Sequence, residues 1–500
     1  MTSMTTVIGV DIGTTSTKVV AYEQSGARRS EAEHGYPLDE PRPGEAVQDP
    51  VVVRDVVMTA LREVVADVRG QGLAIAAVSF SSAMHSLIGL DDAGVAITPS
   101  LTWADTRATR QAERLRVGAG GRELHQRSGT PVHPMAPLSK LVWFRETEPA
   151  VFAAARRWVG IKEYVVAHLT GEYVMDRSIA SATGLLDITT RDWWPRALAV
   201  AAITREQLPT VVPTTHRLAL TPAAATELGL SNVPLIVGAG DGPLASLGVG
   251  AVQPGVAACS VGTSGAIRVM VEKPVVDPLC RVFCYALTDD LWAVGGAISN
   301  GGAVLDWATQ ALAPELGDGG KEALIELAAE APPGSDGLLM LPYLLSERAP
   351  HWSALAQGAY IGLRHTHRRS HLVRAALEGV CQQLALVLQA VRAAGHEVRE
   401  IRATGGFLRD PFTRQLLTDV LGSDVGFAAS SEGSAFGAAL LGMHAIGLIG
   451  SLDVAAGLVR VADHHHPQPR SAALYHEQRA VFNSLYDALT PAFRAMQRIR

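Results

Sequence analysis

The sequence predicts an α/β protein of two domains, and three observations carry that expectation. The chain has 500 residues, more than one hydrophobic core usually supports. Two strand–turn–strand units of one kind, VIGVDIGTTSTKVVAY (residues 7–22) and VAACSVGTSGAIRVMVEK (residues 256–273), lie roughly half a chain apart, a repeat of placement more than of residues. Around them, β-branched runs alternate with helix-period patterns, as expected of strands joined by crossover helices.

The elements follow in order. Residues 7–10 and 18–22 are rich in Val, Ile and Tyr and read as strands. Residues 75–80, 86–90 and 236–238 are the further strands of the first half, with helical patterns at 51–68, 140–145 and 162–169. Glycine and proline cluster at GVGAVQPG (residues 248–255) between two apolar segments. That junction sets the domains at 1–247 and 248–500. In the second half, residues 266–271, 338–342, 401–404 and 425–428 read as strands, and residues 371–394, 411–421 and the stretch from Ser434 as helices. Proline at position 411 suits a first helical turn, where its missing N–H costs nothing.

Composition excludes several classes. Hydrophobic residues make up 48% and charged residues 18%, normal for a globular chain. The formal net charge of −6 leaves no basic footprint for nucleic acid. No apolar run is long enough to span a bilayer, since residues 233–261 are broken by Asp241, glycines and prolines. The opening MTSMTT lacks a basic region and an apolar core, so no signal peptide is expected, and Met4 is an alternative start. Four cysteines argue against a disulfide framework and for a reducing cytoplasm. Cys280 and Cys284 read as strand residues, and His464, His465 and His466 as a solvated loop before Pro467. Neither group has the paired spacing of a structural zinc site.

The chemistry-bearing stretches stand at element ends. In DIGTTSTK (residues 11–18), one glycine and four hydroxyls turn N–H and O–H groups toward one point, which suits a phosphate. Asp11 would repel a bare phosphate, but fits if Mg²⁺ and its water lie between them. LIVGAGDGPLASLG (residues 235–248) ends an apolar strand in glycines with Asp241 at the tip. There a carboxylate could take a proton from an alcohol, or simply cap a helix starting near Pro243. ATGGFLRDPFTRQLL (residues 403–417) is strand, Gly-Gly, loop and helix, open to close approach by a nucleotide base or to nothing more than a turn. Met84 and His85 break two strands, and WADTR (residues 103–107) places an indole, an acid and a base together, a set that suits a polyol.

Together these pieces resemble the FGGY family of carbohydrate kinases within the actin-like ATPase superfamily. Residues 11–18 resemble its first phosphate motif, VGTSG (residues 261–265) its second, and ATGGFLRD (residues 403–410) its adenosine motif. GAYIGLRHTHRRSHLVRAALEG (residues 358–379) resembles the C-terminal signature, through Gly358, Gly362, His371, Ala375 and Glu378, and MAPLSKLVWF (residues 135–144) most of the other signature. The resemblance implies two ribonuclease-H-like domains facing a central cleft, ATP and Mg²⁺ as cofactors, and domain closure that excludes water. By the same resemblance, Asp241 is the general base, and Thr14, Thr15, Ser16 and Lys18 handle the β- and γ-phosphates. Asp11 then positions Mg²⁺ through water, and Gly262, Thr263, Gly302, Gly406 and Asp410 contact the nucleotide. Met84 and His85 match the family's substrate-contacting pair, and Trp103 and Asp105 are set beside them and Asp241 at the sugar site on the residue types of WADTR alone.

Within the family, SSAMHSLIGLD, WADTRA, GTPVHPMAPLSKL and the pair before Phe407 resemble the gluconate kinases most, which implies conversion of D-gluconate to 6-phospho-D-gluconate. Xylulose kinases share the Met-His pair and are the alternative, together with the family's other kinases of neutral ketoses or polyols. An inactive nucleotide- or sugar-binding protein is a third reading, against which intact Asp11, Lys18 and Asp241 speak. A gluconate carboxylate asks for a cation or several donors, with His85, Arg107, Arg127 and His133 as candidates. The expected partner is a small sugar or sugar acid, with no nucleic acid or membrane. A homodimer paired through surface helices is the assembly to test.

Overall fold

The computed structural model describes residues 5–317, 320–428 and 433–497. Met4, the alternative start, lies outside the described residues. The chain folds as two compact units, the first comprising residues 1–253, 270–294 and 432–459, the second 254–269, 295–431 and 460–500.

In the first unit, β1 (Thr5–Ile12), β2 (Ser16–Glu23), β3 (Arg28–Gly35), β4 (Ala74–Ser82), β5 (Arg217–Leu218) and β6 (Leu235–Gly240) form one sheet in the order β5-β6-β4-β1-β2-β3. β1 pairs antiparallel with β2 and parallel with β4, and β6 runs parallel to β4 on its far side. The ends of β1, β4 and β6 therefore lie side by side, and ligands gather at such carboxyl ends in open sheets.

Both faces of β1 are covered, which is why it reads as a near-continuous apolar run. Ile8, Val10 and Ile12 face a core shared with Val53, Val57, Leu61 and Val64 of the helix Pro50–Gly70. Asp49 caps that helix by accepting from Val51 N at 2.8 Å, with Pro50 in its first turn. Val7 faces the other way, into a core with Ile236, Leu244 and the helix Gly433–Ala445. This last helix lies very close to the sheet. A Cβ at Gly9 would stand 2.0 Å from the Ala435 carbonyl oxygen, and one at Gly437 2.1 Å from that of Leu244. Its composition, GSAFGAALLGMHA, is what such close backbone approach demands.

The second unit repeats the local plan. β7 (Val256–Val261), β8 (Gly265–Val271), β9 (Glu400–Thr404), β10 (Val425–Ala428) and β11 (Val461–His465) run in the order β8-β7-β9-β10-β11. β7 pairs antiparallel with β8 and parallel with β9, as β1 does with β2 and β4. The long helix Arg369–Ala393 is buried along most of its length. Within it, Arg374 donates to Glu378 at 2.8 Å, and Glu378 also accepts from Tyr475 Oη, Gly334 N and Ser335 Oγ. Burial raises the Glu378 pKa against the pull of Arg374.

Two sequence expectations are corrected. His464 and His465 belong to β11 rather than to a loop, because residues 461–465 pair antiparallel with β10 and close that edge of the sheet. Cys284 lies in the strand Phe283–Ala286, but Cys280 lies outside any strand, at φ 57°. Its amide bonds back to the Asp277 carbonyl, and the turn this closes cannot continue a ladder.

Candidate active site

The interruption between β1 and β2 is a tight turn. Gly13 N donates to Ser16 O at 2.9 Å. Tyr36 supports it from beneath, with its hydroxyl 2.7 Å from Gly13 O and 2.9 Å from Ser16 O. Gln48 Nε2 donates to Thr14 O at 2.7 Å, and Trp103 Nε1 donates to Thr14 Oγ1 at 2.9 Å. Ser16 Oγ donates to Glu33 at 3.0 Å, and Thr15 is exposed. Lys18 pairs with Glu31 at 2.9 Å.

Asp11 and Lys18 are register partners across the β1–β2 ladder, which puts both side chains on one face. The Asp11 carboxylate accepts from Ser81 Oγ at 2.8 Å and from Ser434 Oγ at 2.6 Å, one hydroxyl on each oxygen. Burial raises its pKa, while Ser434, Ser81 and the Lys18 charge pull it back. The carboxylate is thus aimed by neutral donors, and Lys18 beside it pairs with Glu31 through one contact while staying partly exposed.

Asp241 is the first residue of the helix Asp241–Gly248, directly after β6, and Gly240 is the N-cap. Its Oδ1 accepts from Gly242 N at 2.7 Å. The tip that carries it is held from behind. Lys162 Nζ donates to Ala239 O at 3.1 Å and pairs with Asp176 at 2.6 Å, a fully buried ion pair. Ser178 Oγ accepts from Gly240 N at 3.1 Å. Met84 packs on Gly240 so closely that a Cβ there would stand 2.8 Å from Met84 Cγ.

His85 follows at φ 71°, a left-handed backbone that costs a non-glycine residue about 1–3 kcal/mol. Its Nδ1 lies 2.8 Å from Ala182 O. A carbonyl can only accept, so Nδ1 carries the proton and Nε2 is the nitrogen whose role changes with protonation. The ring meets Tyr285 edge-on at 5.8 Å. Asp105 is buried and accepts from Ala46 N at 3.1 Å and from Arg107 Nε at 3.0 Å. Arg107 also reaches Glu45 and lies over the Trp143 ring at 4.9 Å.

The cation candidates for a substrate carboxylate are therefore unequal. Arg107 is committed to Asp105 and Glu45, and Arg127 to Asp187. His133 is buried, with Nδ1 accepting from Met135 N at 3.3 Å. His85 is the one beside Met84 at the strand ends.

In the second unit, the turn after β7 closes on the start of the helix Ala303–Leu312. Gly302 N donates to Gly262 O at 2.7 Å, and Gly301 N and Ala303 N donate to Thr263 O at 3.0 and 3.1 Å. Gly405, at φ 120°, comes so near β7 that a Cβ would stand 2.2 Å from Val261 O. Gly262 and Gly406 face open space. These two turns end adjacent parallel strands, so Gly262, Thr263, Gly302 and Gly406 are gathered in one place. Asp410 has a local task there, capping the helix Pro411–Leu421 by accepting from Phe412 N at 2.7 Å.

Several supports gave little sequence signal. Tyr36, Gln48, Ser81 and Ser434 lie far from residues 11–18 along the chain, and Ser434 comes from a helix more than four hundred residues away. Lys162 and Asp176 sat inside ordinary helix and loop patterns. The signal that could have drawn attention is a lysine among the apolar residues of IKEYVVAHL, because its burial is invisible before folding.

The comparisons with known proteins decide the family. The N-terminal domain pattern of the FGGY family of carbohydrate kinases matches residues 6–248, and the C-terminal domain pattern matches residues 257–446. This chain belongs to the FGGY family of carbohydrate kinases. It is 39% identical to a gluconokinase of Bacillus subtilis over 96% of this chain and 95% of that protein. It is 30% identical to a xylulose kinase of Escherichia coli over 97% of this chain and 99% of that one. A solved structure of gluconate kinase from Lactobacillus acidophilus superposes with a TM-score of 0.92 at 34% identity, covering 99% of this chain and all of the other. As an FGGY kinase the chain is an ATP-dependent carbohydrate kinase of the two-domain α/β kind. Among the described residues no helix is long and apolar enough to cross a membrane.

Proposed function

We propose that this kinase transfers the γ-phosphoryl group of ATP to D-gluconate, giving 6-phospho-D-gluconate, in the cytoplasm. The observation that carries the substrate is the gap between 39% identity to a gluconokinase and 30% to a xylulose kinase at matched coverage. D-Xylulose is the second reading, favoured by that same xylulose kinase relative.

In this reading Asp241 takes the proton from the attacking hydroxyl. Its place at the end of β6, with Met84 packed against the preceding glycine, supports that role. Met84, His85 and Trp103 orient the sugar, and an imidazolium at His85 would donate to the carboxylate through Nε2. Asp105 acts through Arg107 and Ala46 N, shaping the loop rather than touching the sugar. The turn Thr14–Thr15–Ser16, with Lys18, holds the β- and γ-phosphates. Gly262, Thr263, Gly302 and Gly406 hold the nucleotide, and Asp410 fixes the adenosine turn through its cap. On this division residues 1–247 serve the sugar and phosphates, with Tyr285 and Ser434 added from later in the chain, and the rest of residues 248–500 serve the nucleotide.

Asp11 fits a water-bound Mg²⁺, since its partly buried carboxylate is aimed by two serine hydroxyls. When bound, Mg²⁺ neutralises charge on the phosphate chain, which phosphoryl transfer needs along with alignment. A homodimer is the assembly this reading expects.

The test is ADP release by the purified protein with Mg-ATP across D-gluconate, D-xylulose, L-ribulose, glycerol and a no-sugar control. Release specific to gluconate supports the proposal. Release with xylulose and not gluconate keeps the kinase and overturns the substrate.

A further inference from the structure

Lys140 lies in the helix Pro137–Thr147 and is 1% exposed. Its ammonium donates to three main-chain carbonyls, His85 O at 2.6 Å, Thr102 O at 2.7 Å and Leu101 O at 3.2 Å. His85 and Thr102 belong to two separate loops, one presenting Met84 and His85, the other Trp103 and Asp105, and Leu101 ends the strand Ser100–Leu101 that leads into the second. The stems of the loops are already joined, because Leu87 and Leu101 exchange backbone hydrogen bonds at 3.1 and 3.0 Å. Beyond that bridge, Lys140 grips the His85 carbonyl and the Thr102 carbonyl together.

The chemistry of the grip is specific. An ammonium has three N–H donors, and here each has a carbonyl. A neutral amine has two donors and a lone pair, so one carbonyl would face a lone pair and be repelled. A thioether or alkyl chain at this position would leave buried carbonyls unpaired in both loops.

We propose that Lys140 is the positioning residue of the sugar site, setting the spacing between the His85 and Trp103 loops through their carbonyls and acting on sugar binding rather than on ATP. This rests on the reading that Met84, His85 and Trp103 face the sugar. Burial pushes the Lys140 pKa down to about 7, with Asp105 opposing and Arg107 reinforcing the shift. The grip therefore loosens as pH rises through neutrality. The charged groups facing it are Asp105 and Arg107 on one loop, with Glu45 behind Arg107, and the His85 ring lies on the other loop. Along its own helix lie Arg145 and Glu146, the latter paired with Arg114. Lys140→Arg stays charged throughout the range, so a pH dependence that survives in that variant belongs to a group other than residue 140.

The experiment measures KM for sugar and for ATP separately, from about pH 6 to about pH 9, in the wild-type enzyme and in Lys140→Met and Lys140→Arg. The expected results are a sugar KM that climbs above neutral pH in the wild type and a flatter profile in Lys140→Arg. Lys140→Met should raise sugar KM about tenfold at pH 6.5 while ATP KM stays within about twofold, the scale of a buried charged hydrogen bond. The wild-type split needs no variant to fold. A sugar KM flat across the range, or one that rises in step with ATP KM, overturns the proposal. His85→Ala serves as the companion. If it raises sugar KM and Lys140→Met does not, the positioning role alone falls; if it leaves sugar KM unchanged, the sugar-site reading falls and takes the proposal with it.

Discussion

The indole N–H of Trp103 donates to the hydroxyl oxygen of Thr14 at 2.9 Å, joining the loop read as sugar-facing to the turn read as phosphate-facing. Both reacting partners would feel a change in this one bond. Trp103→Phe keeps the ring and removes the donor, a loss of about 1 kcal/mol. The expected outcome is a fall of about fivefold in kcat/KM for both substrates, read by steady-state kinetics. An unchanged ATP term would separate the loop from the turn.

Ser434 bears on the charge state of Asp11. Its hydroxyl opposes the upward push of burial on that carboxyl, so Ser434→Ala should raise the Asp11 pKa further. Activity that needs Asp11 ionised then fails at a higher pH on the acid side. The measurement is kcat/KM against pH at saturating Mg²⁺. An acid limb that stays in place, or moves toward lower pH, would contradict this coupling.

Thr263 holds its turn through its carbonyl, which accepts from Gly301 N and Ala303 N. Thr263→Val keeps those bonds and removes only the hydroxyl. ATP KM should rise about fivefold, the cost of one hydrogen bond, with sugar KM nearly unchanged. Equal rises in both constants would remove Thr263 from the nucleotide side.

Much of the fold was legible because its signals are local. The helix Pro411–Leu421 and the strand Val425–Ala428 fall at the expected residues, and β1, β2 and β6 only extend the expected runs. The two glycine turns were visible because glycine and hydroxyl residues interrupt β-branched runs, a pattern that needs no tertiary knowledge. What stayed hidden depends on distant contact. Nothing near Asp11 announces Ser434, and nothing in PLSKLVWF says that Lys140 is buried against three carbonyls. His465 was misread because an edge strand is defined by its partner, here β10, and not by its own polar composition.

The carboxylate of Asp241 is the centre of the account. The decisive measurement compares wild type and Asp241→Asn with D-gluconate and Mg-ATP, following ADP release and identifying the product by phosphorus NMR. Thermal unfolding would confirm that both proteins fold. The account predicts 6-phospho-D-gluconate from the wild type and a rate lower by about two to four orders of magnitude in the variant, the usual contribution of a general base. A folded Asp241→Asn enzyme that phosphorylates gluconate at the wild-type rate would contradict it.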